Sequence, residues 1–194
     1  MRKIVFATNN KHKLSEIQGI LKDKFDVLSL SDIGYDEDIP ETGNTLSENA
    51  SQKSHTIYKR FNVDCFSDDT GLDIDALDGE PGVYSARYAG EDASYDDNVN
   101  KVLQKLDGKE NRKAAFRTVI SLILNGVEHQ FDGKVSGNIT NEKHGDGGFG
   151  YDPVFKPDGF DITFAEMSSD VKNKISHRGK AMEKLVVFLN KQLN

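Results

Sequence analysis

The sequence has no apolar run that approaches the roughly 20 residues of a membrane-spanning helix. Its first apolar stretch, Ile4–Ala7, is too short for the core of a signal peptide. Because Cys65 is the only cysteine, an intrachain disulfide is excluded, and its apolar neighbours predict a buried core side chain rather than a nucleophile. These absences predict a cytoplasmic protein without a membrane segment.

An excess of basic residues is also lacking. The 194 residues include 32 acids and 25 bases, which gives a net charge of −7. Non-specific binding to nucleic acid or to anionic membranes needs a basic face, so the composition argues against both partners. An acidic protein that binds a polyphosphate must supply local positive charge or recruit a divalent cation. Carboxylates that could ligate such an ion are therefore candidate functional residues in this sequence.

The sequence does contain the alternation of strand and helix patterns that is typical of an α/β protein. In its first half the patterns predict a strand at 4–7, a helix from 11, a strand at 27–30, a helix from 45 to about 60 and a strand at 65–69. In its second half they predict a helix after Ser94, hairpin strands at 114–124 and 127–139, a short helix after Ser168 and a C-terminal helix. The Asn125-Gly126 pair is a strong hairpin signal. We therefore expect a mixed, twisted sheet flanked by helices.

The polar segment Thr8–Lys13 follows the first predicted strand and begins the first predicted helix. Backbone N–H groups at such a turn, together with the helix dipole, favour an anion. Lys11 and Lys13 add positive charge, and Thr8 and Asn10 add side-chain donors. A helix cap with solvated lysines explains the segment equally well. No Gly-Lys-Ser/Thr sequence occurs, so it is not a Walker loop.

Two adjacent carboxylates, Asp68 and Asp69, end the predicted strand at 65–69 and precede Gly71. Magnesium is a natural occupant beside such a pair, because it is commonly held by one or two carboxylates and substrate phosphate. Only one of the pair needs to face the site, since successive side chains of a strand point to opposite faces. Glu41 is a second possible ligand. Taken alone, the pair is better explained as an Asx-type turn.

Two further segments offer groups that can bind a flat or anionic ligand. The glycines at 145, 147 and 150 match a dinucleotide fingerprint, but Tyr151 and Asp152 follow where its helix should begin, so that interpretation fails. Phe149 and Tyr151 nevertheless offer rings for stacking. Ser176 is a good helix cap, which places His177 and Arg178 at a helix start, either as ligand donors or as solvated residues. The remaining histidines lack a metal-binding spacing.

Six blocks, in this order and at this spacing, resemble the inosine triphosphate pyrophosphatase family over the chain from Lys3 to the C-terminal helix. The blocks are Ala7-Thr8-Asn9-Asn10-x-x-Lys13; Glu41-Thr42-Gly43-Asn44-Thr45 with Glu48-Asn49-Ala50-x-x-Lys53; Ser67-Asp68-Asp69-Thr70-Gly71-Leu72; Pro81 to Tyr88; Gly148-Phe149-Gly150-Tyr151-Asp152-Pro153; and Ile175-Ser176-His177-Arg178-Gly179. Their conjunction overturns the structural explanations that each motif allows alone.

The resemblance implies one elongated α/β domain, residues 1–194, with two lobes around a central cleft, and a homodimer. It implies hydrolysis of non-standard purine nucleoside triphosphates (ITP, dITP and XTP) to the monophosphate and pyrophosphate, assisted by Mg²⁺. Asp69 is the implied general base, and Glu41 and Asp69 are the implied metal ligands. The implied substrate contacts are Thr8, Asn9, Asn10, Lys11, His12, Lys13, Lys53, Thr70, Phe149, Gly150, Tyr151, Asp152, Lys172, His177 and Arg178.

One position departs from the family pattern. Asn9 stands where many relatives carry glycine, and asparagine tolerates a left-handed turn better than most residues do. We therefore expect function to be retained. Two alternative functions remain, a nucleotide sensor without turnover and a hydrolase of another triphosphate class, such as modified pyrimidines.

Overall fold

The computed structural model of the chain describes residues 2–21 and 24–192. The helices are α1 (Lys11–Leu21), α2 (Leu46–Phe61), α3 (Tyr95–Lys105), α4 (Ser169–Ile175) and α5 (His177–Gln192). The strands are β1 (Arg2–Phe6), β2 (Phe25–Leu28), β3 (Cys65–Ile74), β4 (Pro81–Gly82), β5 (Lys113–Leu124), β6 (Val127–Ile139) and β7 (Phe155–Pro157). Short 3₁₀ turns occur at Ser31–Ile33, Asp75–Leu77, Ser85–Arg87, Asp152–Val154 and Phe164–Glu166.

Within these residues, the strands form one mixed sheet in the order β2-β1-β3-β5-β6-β7, and β4 pairs with β3. β1 is parallel to β2 and β3, whereas β3–β4 and β6–β7 are antiparallel. The predicted α/β class with a mixed sheet is confirmed.

Local sequence signals account for several element boundaries. The Thr45 side chain accepts the Glu48 N–H at 3.1 Å and the Glu48 carboxylate accepts the Thr45 N–H at 3.1 Å, which completes the predicted capping box of α2. Asn125 and Gly126 have φ angles of 52° and 81°, as a type I′ hairpin turn between β5 and β6 requires.

The predicted end of the third strand is wrong. Asp69 does not terminate it before a glycine turn, because β3 continues through Gly71 to Ile74. Leu72 and Ile74 are fully buried, and their burial outweighs the low strand preference of glycine. The carboxylates therefore lie within a long strand rather than at its end.

The chain divides into two compact units. Unit 1 comprises Met1–Asp69, Thr118–Gly133 and Arg178–Asn194, and unit 2 comprises Thr70–Arg117 and Lys134–His177. The description of the chain as one domain with two lobes stays a prediction. Within the described residues, no helix is long and apolar enough to span a membrane.

Each unit has an apolar core of its own. In unit 1, Phe6 and Phe66 stack with ring centroids 4.6 Å apart. Cys65 is also buried there, as predicted; its Sγ donates to the Ser54 carbonyl at 3.3 Å, and burial raises the pKa of its thiol to about 12. The core of unit 2 is built from β3 residues beyond Asp69, α3, and residues of β5, β6 and β7.

Candidate active site

The segment between β1 and α1 is held largely by its own side chains. Asn10 Oδ1 accepts the His12 N–H at 3.0 Å and the Lys13 N–H at 3.1 Å. Thr8 Oγ1 accepts the Asn10 N–H at 3.2 Å. Two backbone donors that were predicted to face an anion thus bond to Asn10. The ammonium groups of Lys11 and Lys13 and the dipole of α1 also attract phosphate to this segment.

Asn9 differs from the expectation for this turn. Non-glycine residues with a positive φ in the described part of the chain are Asn62, Asp78 and Asn125, so Asn9 does not adopt the left-handed conformation. Its exposed amide donates to the Glu37 carbonyl at 3.3 Å and to Asp38 Oδ1 at 3.1 Å. Asn9 therefore ties the start of the Thr8–Lys13 segment to the acidic loop that precedes Glu41.

Asp68 is the centre of a buried ionic network in unit 1. Its Oδ1 accepts from Lys13 Nζ at 3.0 Å and its Oδ2 from Arg178 Nε at 3.1 Å, while Arg178 Nη1 donates to Glu16 Oε2 at 2.7 Å. Burial opposes the ionisation of Asp68, but Lys13 and Arg178 outweigh it and hold its pKa well below the usual range. Burial lowers the pKa of the Lys13 ammonium, although Asp68 acts in the opposite direction.

Asp69 points to a different set of partners, as alternation along a strand requires. Its Oδ2 accepts from Asn49 Nδ2 at 3.1 Å, and Lys53 Nζ lies 3.4 Å from its Oδ1. Lys53 also donates to the Glu41 carboxylate. Burial raises the pKa of Asp69, and Lys53 only partly offsets it. Burial lowers the pKa of Lys53, but the Asp69 and Glu41 carboxylates outweigh it, so the net shift is upward.

The carboxylates of Glu41 and Asp69 form a donor set that fits Mg²⁺. The Lys53 ammonium bonds to both, which shows that two carboxylates converge on one cationic group. No cluster of three or more His, Cys, Asp or Glu side chains suited to a metal occurs in the described residues. Two hard oxygen donors are nevertheless the usual protein share of a magnesium site that substrate phosphate completes.

The residues predicted to contact a base lie in unit 2, except Arg178, which belongs to unit 1. Lys172 Nζ donates to Asp152 Oδ2 at 2.7 Å and lies 4.9 Å from the centroid of the Phe149 ring. The same Asp152 oxygen accepts the Phe149 N–H at 2.8 Å. Gly148 has a φ of +70°, and a Cβ there would lie 2.1 Å from Asp152 Oδ2. The glycine thus permits the close approach of Asp152 to its own loop.

Two predicted ligand contacts in unit 2 are packed into the protein. Tyr151 is buried, its hydroxyl donates to the Ser85 carbonyl at 2.8 Å, and burial raises its pKa. The His177 ring is buried and stacks on Phe116 with centroids 4.5 Å apart. Phe149 is the more accessible ring, because it is only partly buried.

The predicted site residues therefore form groups within each unit. Unit 1 contains Thr8, Asn9, Asn10, Lys11, His12, Lys13, Glu41, Lys53, Asp69 and Arg178, whereas unit 2 contains Thr70, Phe149, Gly150, Tyr151, Asp152, Lys172 and His177. Among them, Lys11 and His12 are exposed at the start of α1, and Thr70 is partly buried beside Asp69 in β3.

Three residues that hold these groups, namely Glu16, Asn49 and Ser85, received no role from the sequence. Asn49 had a detectable signal, because it is a polar residue between Leu46 and Ala50 on the apolar face of α2. Glu16 follows Lys13 by one helical turn, but its bond to Arg178 depends on contacts far apart in sequence.

These features define an α/β protein in which unit 1 contains a buried lysine–carboxylate cluster suited to a polyphosphate with a divalent cation. Unit 2 contains an aromatic and charged cluster suited to a heterocycle. The Ham1 family model matches residues 4–188, and the chain belongs to this family.

Similar proteins agree with this assignment. The dITP/XTP pyrophosphatase of Flavobacterium johnsoniae is 53% identical over 187 residues, which cover 96% of this chain and 97% of the relative. The dITP/XTP pyrophosphatase of Porphyromonas gingivalis is 53% identical over 97% of this chain and 98% of its own length. The solved Ham1 protein of Staphylococcus aureus is 42% identical, with a TM-score of 0.88 over 98% of this chain and 100% of its own. The family resemblance inferred from the six blocks is thus confirmed.

Proposed function

We propose that the protein hydrolyses ITP, dITP and XTP to the nucleoside monophosphate and pyrophosphate, and so removes damaged purines from the nucleotide pool. The observation that carries this proposal is the convergence of Glu41 and Asp69 on Lys53 in a buried part of unit 1. The names of the relatives from Flavobacterium johnsoniae and Porphyromonas gingivalis support the same activity.

Asp69 is the proposed general base, which accepts a proton from the water that attacks the α-phosphorus. Burial favours this role, because it raises the pKa of the carboxylate and with it the affinity for a proton. Lys13 and Lys53 carry the positive charge that stabilises the pyrophosphate leaving group. Glu41 and Asp69 would hold Mg²⁺, whose contribution when bound is to lower the pKa of water and to neutralise developing negative charge.

The remaining polar residues receive substrate-binding roles in this proposal. The Thr8–Lys13 segment binds the triphosphate and Thr70 contacts the substrate next to Asp69. Arg178, by holding Asp68, fixes the partner of Lys13. The Arg178 guanidinium bonds to the carboxylates of Asp68 and Glu16, so Arg178 also helps to fix the position of the Lys13 ammonium that binds phosphate.

Base selection is assigned mainly to unit 2. Phe149 offers a face for stacking, with the Lys172 ammonium over its ring. A 6-oxo purine presents an acceptor where adenine presents an amino donor. A donor such as Arg178 or His177 favours the 6-oxo base, because a buried polar group left unpaired costs about 1–3 kcal/mol.

We also propose that the protein is a cytoplasmic homodimer. The basis of this proposal is the resemblance to the inosine triphosphate pyrophosphatase family, which implies a homodimer. Sedimentation velocity over a range of protein concentrations tests it, and a monomer at micromolar concentration would contradict it.

The decisive experiment is pyrophosphate release from ITP, XTP, dUTP and GTP, each with and without Mg²⁺. We expect Mg²⁺-dependent release with ITP and XTP ahead of GTP and dUTP, and release lowered about 10²–10⁴-fold in Asp69→Asn. Equal release by Asp69→Asn would exclude Asp69 as the base. Tight binding of ITP without turnover would identify a sensor, and a preference for dUTP would reject the purine assignment.

A further inference from the structure

Asn49 is a fully buried polar side chain in α2, with 0% of its surface exposed. Both ends of its amide are hydrogen bonded. Nδ2 donates to Asp69 Oδ2 at 3.1 Å, and Oδ1 accepts the Gly43 N–H at 2.8 Å. The opposite amide orientation would place an oxygen against the carboxylate and an NH₂ group against an N–H, so the two partners define one orientation.

The Gly43 contact connects this amide to the loop of Glu41. The same loop is also held where the Thr42 N–H donates to Gln52 Oε1 at 3.0 Å. A Cβ at Gly43 would lie 2.6 Å from Glu48 Cβ and 2.8 Å from Asn49 Oδ1, so the loop packs directly on α2. The position of the Glu41 backbone therefore depends on the first turns of this helix.

The second contact of Asn49 distinguishes the two oxygens of Asp69. Oδ2 is committed to the amide, whereas Oδ1 has the longer contact of 3.4 Å with Lys53 Nζ. Asn49 and Lys53 are four residues apart in α2 and so lie on the same helix face. One face of α2 thus contacts both carboxylates of the proposed metal site.

We propose that Asn49 is a positioning residue that holds the Asp69 carboxylate and the Glu41 loop in register, and so fixes Oδ1 as the Asp69 oxygen that faces Lys53. This inference rests on the proposed pyrophosphatase function. It adds a residue that bonds to one proposed metal ligand, Asp69, and to the loop of the other, Glu41.

Two variants test the two halves of the amide. Asn49→Asp keeps an acceptor for the Gly43 N–H but places a second carboxyl group against Asp69 Oδ2, and the two must repel each other or share a proton. We therefore expect kcat for ITP to fall about 10–100-fold, with little change in KM. Asn49→Ala removes both bonds, so we expect the half-saturating Mg²⁺ concentration to rise about tenfold or more. The affinity for Mn²⁺ alone, measured by electron paramagnetic resonance, should weaken in parallel without any turnover.

Asn98 provides a matched control, because it is 2% exposed and also uses both ends of its amide, in unit 2. It donates to the Ala86 carbonyl at 3.0 Å and accepts the Ala89 N–H at 2.7 Å. Asn98→Ala should lower the melting temperature while the Mn²⁺ affinity and the Mg²⁺ dependence stay at wild-type values.

The outcomes separate this inference from the proposed function. Wild-type kcat in Asn49→Asp together with wild-type Mn²⁺ affinity in Asn49→Ala would overturn the role of Asn49 and leave the pyrophosphatase intact. Equal losses of melting temperature and activity in Asn49→Ala and Asn98→Ala, with Mn²⁺ affinity unchanged, would reduce Asn49 to a structural residue and also overturn it. Absence of pyrophosphate release by the wild-type protein would remove the proposed function itself.

Discussion

Replacement of Arg178 by methionine tests whether the buried network around Asp68 stabilises the protein. The Arg178 side chain is 3% exposed and the Asp68 side chain is 0% exposed. The guanidinium uses two different nitrogens, Nε for Asp68 and Nη1 for Glu16. A methionine fills much of the same volume, so the variant removes the charge and both hydrogen bonds while retaining most of the packing.

The expected loss follows from these contacts. A hydrogen bond that involves a charged group contributes about 1.5–3 kcal/mol, so two such bonds give about 3–6 kcal/mol. Removal of one partner from a buried ion pair costs about 3–5 kcal/mol, which agrees. Because Lys13 remains beside Asp68 at 3.0 Å, we expect the lower part of this range, about 3–4 kcal/mol. For a chain of this size this corresponds to a fall in melting temperature of about 6–16 °C.

Urea unfolding monitored by circular dichroism measures the free energy of unfolding, with Arg117→Met as the matched control. Arg117 Nε lies 2.7 Å from Asp73 Oδ2, but its side chain is 52% exposed, so we expect a loss below about 1 kcal/mol. The Asp68→Asn/Arg178→Met double variant should lose less than the sum of the single losses, since both remove the same pair. A loss in Arg178→Met no larger than that in Arg117→Met would refute the stabilising role of the network.

Further variants address the base, the buried acid and the glycine loop. Asp69→Asn should lower kcat by about 10²–10⁴-fold in the pyrophosphate assay. Its melting temperature should stay the same or rise, because burial disfavours the charged form of Asp69. A lower melting temperature would contradict this expectation about stability. The folded-state pKa of Asp68 lies below its unfolded value, so its stabilising contribution is present above about pH 3.9 and is lost as the pH falls through the folded value. Urea midpoints between pH 7 and pH 3 should therefore fall less steeply in Asp68→Asn than in the wild type, and parallel profiles would disprove this linkage. Gly148→Ala should destabilise the protein more than Gly159→Ala does. Both glycines have a positive φ, but only a Cβ at position 148 would clash with Asp152. Equal losses of stability in thermal unfolding would show that this clash contributes nothing.

Elements with local signals were predictable from the sequence. The capping box of α2, the Ser94 cap of α3 and the Asn125-Gly126 hairpin were all identified correctly, because each depends on residues within a few positions of one another. The length of β3 was not, because its continuation past Asp69 depends on the burial of Leu72 and Ile74 against distant segments. A glycine preceded by acidic residues looked like a turn when only local preference was considered.

In the candidate site, too, local motifs were predictable from the sequence, whereas contacts between distant residues were not. The motifs carried the residue types expected to contact substrate, but they did not reveal which side chains hold those residues in place. The contact between Arg178 and Asp68 spans 110 residues and that between Arg178 and Glu16 spans 162. The sequence shows Asn49 as a polar residue on the apolar face of a predicted helix. Its bond to Asp69 could not be predicted, because it depends on the packing of α2 against β3. Tyr151 was predicted from its ring, whereas its hydroxyl contact with Ser85 requires the folded unit 2.

The burial of Cys65 has a practical consequence for experiments on motion. Its thiol is inaccessible and has a pKa of about 12, so at neutral pH it contributes almost no reactive thiolate toward maleimides or methanethiosulfonates. The wild-type chain thus serves as a cysteine-free background for spin labels and fluorophores, without removal of the native residue. A cysteine introduced at an exposed position such as Val127 would be labelled selectively, and the core around β3 would keep its native packing.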